Sequence, residues 1–525
     1  MPVASRPAAA RAQSAAWALP AVAGVAAAAV GAGAGELAAA VIAPAASPFA
    51  SIGSLLIDLA PPWAKDAAIA LFGTGDKVAL LVGIAVVLAA LGALAGVLEV
   101  RHPRWGRGLF ALAGVFGAVA AATRANASML AVLPAAVGAI AAMATLTLLL
   151  RLIPAGRVTD AETDPAAPAG VDRRRFLAWA GGATVLGVLA TLGASALTAG
   201  SRAVVAVRDA LRLPTAARRA AVPASAELGI DGLAPVITPN RDFYRIDTAL
   251  NVPQVDPAEW RLRIHGMVDR EVELTWDELL ALPLEESVTT LACVSNEVGG
   301  GLIGTAVWLG YPIRELLARA RPSADADMVL SRSIDGFTAS TPLEALTDPG
   351  REAVLAVGMN GEPLPLEHGF PVRMVVPGLY GYVSATKWVT ELEVTRFDRD
   401  RAYWSDRGWS ERGPVKLSSR IDVPRQGQSV GAGTVVVAGV AWHQHIGVAA
   451  VDVQVDDGDW QPAELATAIS DDTWVQWRFE WDAAPGRRTL RVRATSADGE
   501  VQTAEVAPVA PNGATGLHER SVEVR

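Results

Sequence analysis

The sequence predicts three kinds of structure in series: a bundle of about five transmembrane helices, a mixed α+β domain, and a C-terminal antiparallel β-sandwich of immunoglobulin type. Three observations carry this prediction. The first two hundred residues are dominated by Ala, Val, Leu and Gly in long charge-free runs. From Pro235 strand and helix patterns alternate, and from about Pro414 nearly every segment is a short alternating strand between Gly, Asp and Pro turns. The expected boundaries are 1–200 for the membrane part, 201–234 for a linker, 235–412 for the mixed domain and 413–525 for the sandwich.

Five stretches have the roughly 20 apolar residues that a spanning helix needs: Trp17–Ala43, Val78–Leu98, Gly108–Thr123, Met129–Leu152 and Phe176–Ala199, the third being the shortest. Residues 47–76 are apolar but broken at Pro61-Pro62, and read as an interfacial or re-entrant segment. Basic residues set the orientation. Arg6 and Arg11, then Arg101, Arg104 and Arg107, then Arg151, Arg157 and Arg173–Arg175 alternate with loops holding only Lys65, Lys77 and Arg124. That pattern places the N-terminus in the cytoplasm and everything after Ala199 outside. Arg173-Arg174-Arg175-Phe176-Leu177 resembles a twin-arginine export signal, a route that carries folded proteins; the competing reading is a plain positive-inside anchor. No span contains a histidine for an axial haem ligand, and Glu36 is the lone acid inside the first span, so anchoring is the expected role of this half.

In the mixed domain "WRLRIHGMV" and "EVELT" alternate as strands. "TWDELLALP" opens a helix with Thr275 as N-cap and Glu278 three residues on. "VWLGYPIRELLARA" contains a second helix, and "AVLAVGMNGEPLP" turns at Asn360-Gly361. The net charge of −9 leaves no basic footprint for nucleic acid. The single cysteine, Cys293, excludes an intramolecular disulfide, and no CxxC exists for a zinc ribbon.

Cys293 sits in "TLACVSNEVGGG", between a β-prone run and a glycine-rich turn. A buried small hydrophobe, a nucleophile with His265 or His368 as base, and a thiolate that binds a metal carried by a cofactor are the three readings. In the third, the glycines let the backbone approach a large ligand closely. Two further segments bear on the choice: "NRDFYRIDTALNVP" at 240–253 and "LPLEHGFPVRMVVPGLYGYVSATKW" at 364–388. With "TLACVSNE" they resemble the sulfite oxidase-type molybdenum enzymes, and the resemblance runs from about Pro235 to the C-terminus. It includes "SSRIDVPRQGQSV" and "NGATGLHERSVEV", which look like that family's immunoglobulin-like dimerisation domain.

The resemblance implies a molybdenum-molybdopterin cofactor, with Cys293 as the metal ligand. It places His368, Arg373, Thr386 and Lys387 on the pterin and its phosphate, and Tyr244, Arg245, Asp247 and Thr248 where the early segment touches the cofactor. It further implies two-electron oxo transfer on a small-molecule substrate, an electron-transfer partner encoded elsewhere, and a homodimer. Two departures bear on the substrate. The Arg-Asn-His run of sulfite oxidases is Ile246-Asp247-Thr248 here, and the arginines expected past the cysteine are replaced by Glu297-Val298-Gly299-Gly300. The expectation is therefore an enzyme of this family that is not a typical sulfite oxidase. The alternative is a membrane-tethered recognition protein that uses its sandwich.

Overall fold

A computed structural model describes residues 8–43, 46–61, 64, 71–72, 76–124, 129–153, 173–198 and 201–525. The chain forms two units, one of residues 1–202 with 249–251 and one of residues 203–248 with 252–525.

In the first unit, five helices among the described residues are long and apolar enough to cross a membrane: Trp17–Ile42, Lys77–Arg101, Trp105–Ala122, Met129–Arg151 and Arg174–Ala194. Small residues let these helices approach closely. A Cβ on Gly24 would fall on the carbonyl of Gly92, and one on Gly96 would fall on the carbonyl of Pro20. Glu36 has a structural partner set: its carboxylate accepts from Ser47 Oγ at 2.8 Å and from the Phe49 N–H at 3.0 Å. Ser47 in turn caps the helix Pro48–Leu59, whose 12 residues are too few to span. The rest of the expected re-entrant segment, at 62–63, 65–70 and 73–75, lies outside the described residues, as do Arg6, Lys65, Arg157 and the approach to the arginine run.

The second unit holds two sheets and a sandwich. In the first sheet β1 (Arg261–Gly266) pairs antiparallel with β2 (Val272–Thr275) and parallel with β10 (Val389–Thr395). β10 continues to β5 (Met328–Ser333) and then β6 (Thr338–Pro342), both antiparallel. The second sheet runs β3 (Glu285–Ala292), β4 (Ile303–Pro312), β7 (Val354–Met359) and β8 (Glu362–Pro363), with β9 (Arg373–Val375) also on β7. The expected local signals are present. Thr275 and Glu278 cap the helix Trp276–Leu280 reciprocally, at 3.2 and 2.8 Å. Asn360 and Gly361 take φ of 51° and 81° in the β7–β8 turn, the left-handed pair a two-residue hairpin loop demands. The helix Ile313–Ala320 buries Ile313, Leu316, Leu317 and Ala320, a single face at 3.6-residue spacing.

The sandwich sets β11 (Ser418–Val423), β13 (Gly433–Trp442), β17 (Val475–Ala483) and β16 (Glu464–Leu465) against a five-stranded sheet. That sheet is β12 (Ser429–Val430), β19 (His518–Val524), β18 (Gly486–Ser496), β14 (Val448–Val455) and β15 (Gln461–Pro462). Ile421, Val437 and Trp477 from one sheet meet Val451, Leu490 and Val522 from the other in one core, the alternate-residue burial expected of facing sheets. One pairing departs from the antiparallel expectation: the short strand β12 lies parallel to β19.

The stretch read as a linker carries structure of its own. It opens with the helix Ser201–Ala210; beyond it, the Ala217 N–H reaches Leu284 O at 2.7 Å and the Leu228 N–H reaches Gln476 Oε1 at 2.7 Å. Those bonds lay it on both the second sheet and the sandwich, which a mobile tether would not allow.

Trp477 is fully buried at the centre of the sandwich. Trp477→Ala should destabilise this part of the chain by about 3–5 kcal/mol, read as a shift of the denaturant midpoint in the detergent-solubilised protein. A shift no larger than that of an exposed control such as Val506→Ala would contradict this packing.

Candidate functional site

β3 is buried over six consecutive residues from Ser287 to Ala292, and it delivers Cys293 at its end with the thiol inside the fold. The following loop closes on itself at that point. The Cys293 N–H donates to Leu302 O at 2.9 Å, the Asn296 N–H donates to Cys293 O at 3.0 Å, and the Leu302 N–H returns to Asn296 Oδ1 at 2.8 Å. The thiol is the acceptor for the Ser295 N–H and hydroxyl, which favour the thiolate, but burial outweighs them and pushes its pKa up. Alone, the sulfur is therefore a protonated thiol; a metal cation would reverse that balance.

The glycines were expected to let backbone approach a ligand, and the structure corrects this for two of them. A Cβ on Gly300 would stand 2.6 Å from Asn296 Oδ1, and one on Gly299, at φ 75°, would fall on the imidazole of His518 in β19. They make room for the loop's own closure and for the last strand.

The HGFPVR segment and the TKW segment meet edge to edge. Arg373 and Lys387 are bridge partners, and the Met374 N–H donates to Thr386 O at 2.9 Å. Gly369, at φ 114°, fits between them: a Cβ there would lie 2.9 Å from Arg373 Cβ and 3.2 Å from Lys387 Cβ. The buried guanidinium of Arg373 donates to two backbone carbonyls, His368 O at 3.1 Å and Met374 O at 3.3 Å, and lies 5.0 Å from the Trp308 ring. It has no ion pair among the described residues. The buried Lys387 Nζ bonds Asp247 Oδ2 at 2.7 Å and Glu367 O at 3.0 Å, and Arg245 Nε shares the same Asp247 oxygen at 2.9 Å. His368 is buried edge-on to Phe243, with Nε2 3.3 Å from Asn240 O.

Burial shapes the charges. It lowers Arg373 to about 10 and Lys387 to about 8, both still cationic at neutral pH. His368 is lowered to about 4 by burial and by the Arg373 cation, so it is neutral. Tyr244 is within electrostatic reach of both Cys293 and Arg373, and burial pushes its phenol up.

Of the expected site residues, Cys293, Tyr244, Asp247, His368, Arg373 and Lys387 come together. Arg245 joins through Asp247 while its own side chain stays substantially exposed. Thr386 is in place by its backbone, but its hydroxyl bonds Ser331 Oγ at 2.7 Å and is used structurally. Thr248 makes no side-chain hydrogen bond among the described residues. His265, weighed as a base for the thiol, is a β1 residue 3.9 Å from Glu391. Tyr380 escaped the sequence reading. It is within electrostatic reach of Cys293, and burial pushes its hydroxyl up to about 12. Its only signal was an aromatic residue bracketed by Gly378 and Gly381 inside the motif.

The donor set permits a specific test of what could bind. Among the described residues no group of three or more His, Cys, Asp or Glu side chains could hold a metal. A metal on Cys293 must therefore bring its remaining ligands with it. The buried, unpaired Arg373 asks for an anion, since an uncompensated buried charge is costly. A phosphate-bearing dithiolene pterin answers both demands.

Comparison with known proteins agrees. The family described as oxidoreductase molybdopterin binding domain matches residues 249–404. Mitochondrial sulfite oxidase of Homo sapiens is 31% identical over 321 residues, covering 52% of this chain and 58% of that protein. The oxidoreductase YuiH of Bacillus subtilis is 32% identical over 166 residues, which are 32% of this chain and 80% of YuiH. The chain belongs to the sulfite oxidase-type molybdopterin oxidoreductases. It spans little more than half the length of the sulfite oxidases it matches. Among solved structures, the sulfane dehydrogenase SoxCD of Paracoccus pantotrophus aligns with a TM-score of 0.48 and 24% identity over 55% of this chain and 82% of that one.

Two outcomes check these electrostatics in this molybdopterin oxidoreductase. Asp247→Asn strips Lys387 of its carboxylate and should cost the cofactor-free protein about 3 kcal/mol or more, with Lys387→Met restoring much of it in the double variant; denaturant unfolding reads both. The unfolded His368 takes up its proton near its ordinary value of 6.5 and the folded one only near 4. Stability should therefore fall as pH drops through that window, and His368→Gln should remove about one proton from the uptake on unfolding. An unchanged slope in the variant would sink the assignment.

Proposed function

We propose that this chain is a membrane-anchored, extracytoplasmic oxidoreductase whose Cys293 thiolate is the protein ligand to molybdenum. The observation that carries the proposal is the buried Arg373, unpaired beside Lys387 and, like the lone thiol, within electrostatic reach of the buried Tyr244. When bound, the molybdenum-molybdopterin group supplies two-electron oxo transfer on a small substrate.

The chain's own residues do the holding. Cys293 would hold the metal as a thiolate, with the Ser295 N–H and hydroxyl donating to the sulfur. Arg373 and Lys387 would give charge-assisted hydrogen bonds to an anionic group of the cofactor, while neutral His368 is fixed against Asn240 and Phe243. Asp247 holds Lys387 and Arg245 in position. Tyr244 and Tyr380 stay protonated near the sulfur and offer hydroxyl donors to substrate.

The cysteine loop argues against a dianionic substrate at the metal. An oxyanion needs a cationic pocket, and Glu297 stands where the resemblance leads one to expect an arginine. The alternation of basic loops supports an orientation with the N-terminus in the cytoplasm and the cofactor-binding and sandwich parts outside. The arginine run before Phe176 fits export of an already folded, loaded domain. Electrons pass to or from a separate partner, since the sequence holds no CxxCH and no cluster of cysteines for iron and sulfur.

Elemental analysis of protein from a cofactor-producing host tests this. Wild type should hold about one molybdenum per chain, with loss of metal or an altered Mo(V) spectrum in Cys293→Ser. Arg373→Met should keep the cofactor-free fold at least as stable, because it removes an unpaired buried charge, yet retain the cofactor about 10–100-fold less well. A metal-free wild type, or equal retention by Arg373→Met, would overturn the reading.

A further inference from the structure

Beside the cysteine loop lies a cavity of about 580 Å³ lined by Gly299, Gly300 and Gly301 and by Arg420, Arg425 and Arg520 of the sandwich, with Asp422 as its acid. The volume is within the range of small-molecule sites. Asp422 is already consumed. Its Oδ1 takes Arg420 Nε at 2.6 Å, and its Oδ2 takes Arg420 Nη2 at 3.3 Å and the Ala234 N–H at 3.0 Å. Arg425 and Arg520 are left in surplus. Arg425 bonds Gln428 only through its backbone N–H and carbonyl, and its guanidinium has no partner among the described residues. Arg520 Nε is buried with no hydrogen-bond partner. Such an orphaned guanidinium donor is costly unless an acceptor reaches it.

His518 lies against Gly299 of the cavity wall. His518 Nδ1 accepts the Ile421 N–H at 2.9 Å, which leaves the proton on Nε2. Nε2 is on the part of the ring that a Cβ on Gly299 would strike.

We infer that this cavity is an anion site for a small dianionic oxyanion of the sulfate or hydrogen phosphate type, held by Arg425 and Arg520. Two surplus cations match two negative charges, and tetrahedral oxygens suit forked guanidinium donors. The site is also tied to the loop that carries the cysteine, because Arg420 Nη1 donates to Gly300 O at 2.9 Å. An anion held by Arg425 and Arg520 would also sit against Gly299, Gly300 and Gly301, which line the same cavity. This inference does not rest on molybdenum, and the same binding should appear in the Cys293→Ser protein.

The test is calorimetric titration of the detergent-solubilised full chain with sodium sulfate and with inorganic phosphate. Ionic strength is held constant with chloride. A single saturable site for either anion is expected, weakened at least about tenfold in Arg425→Glu and in Arg520→Gln, and unchanged in the strand control Glu519→Gln. Hydrogen exchange of the amides from Glu297 to Leu302 should slow on adding the anion to wild type and not to Arg425→Glu. Arg425 is exposed, so that variant keeps its fold and the comparison stays interpretable. No saturable heat above the chloride control, or equal affinity in the arginine variants, would overturn the site. Binding without any slowing of exchange would overturn its coupling to the loop.

Discussion

A guanidinium buried without a carboxylate is the constraint around which the cofactor half is arranged. Arg373 has two carbonyls and an indole face for company, and none of these cancels its charge. The neighbouring cations compete for one touching carboxylate: Lys387 and Arg245 both bond Asp247. The fold tolerates this because rigid pieces hold the cations in place. β9 fixes Arg373 on β7, the bridge fixes Lys387 beside it, and Gly369 permits the close approach. Left to itself such a cluster is a liability of several kcal/mol; with an anion in place it becomes a binding site. The same field keeps His368 neutral, so that imidazole contributes shape and a hydrogen bond rather than a further charge.

The buried thiol presents the mirror problem. Burial holds Cys293 protonated, and the residues around it cannot complete a metal site. A scaffold protein would have no reason to set an unpaired buried cation and an inert thiol within reach of one buried tyrosine. A metal that arrives inside an anionic organic ligand resolves both defects at once, and that coincidence weighs against the recognition-protein reading more than any single motif does.

Much of this was legible because it is local. Helix caps at Thr275, the Asn360-Gly361 turn, the apolar spans and the alternating strands each depend on a handful of adjacent residues, and they appear where the sequence places them. The juxtaposition of Arg373 with Lys387 was readable only through the family resemblance, since the thirteen intervening positions carry no periodicity that would bring them together. Tyr380 and Asn240 went unread for a related reason: their roles rest on a tertiary neighbour, Cys293 for one and His368 for the other. Thr386 has a hydroxyl partner in Ser331, which no local pattern reveals. The stretch 201–234 looked like a tether because it is rich in Ala, Arg and Pro, yet its backbone groups are satisfied by Leu284 and Gln476.

The glycine turn after Cys293 ties these strands of the argument together. Glycine was required there, but by the loop's own closure on Asn296 and by the passage of His518, rather than by a ligand pressing on the backbone. The consequence is that the cysteine is held from two directions. β3 and the Leu302 pairing fix it from within the cofactor half, and Arg420 grips the same loop at Gly300 from the sandwich. The sandwich is thus a second wall of the thiol's mounting, not an appendage that could be removed without effect. Charge divides along the same line. The cofactor half carries its surplus cations buried, where only a ligand sealed into the fold can reach them, and the sandwich carries its surplus in an open cavity, where an exchangeable anion can. One turn, from Ser295 to Gly301, serves both sides: Ser295 stands against the thiol at one end, and Gly299 to Gly301 line the sandwich's cavity at the other.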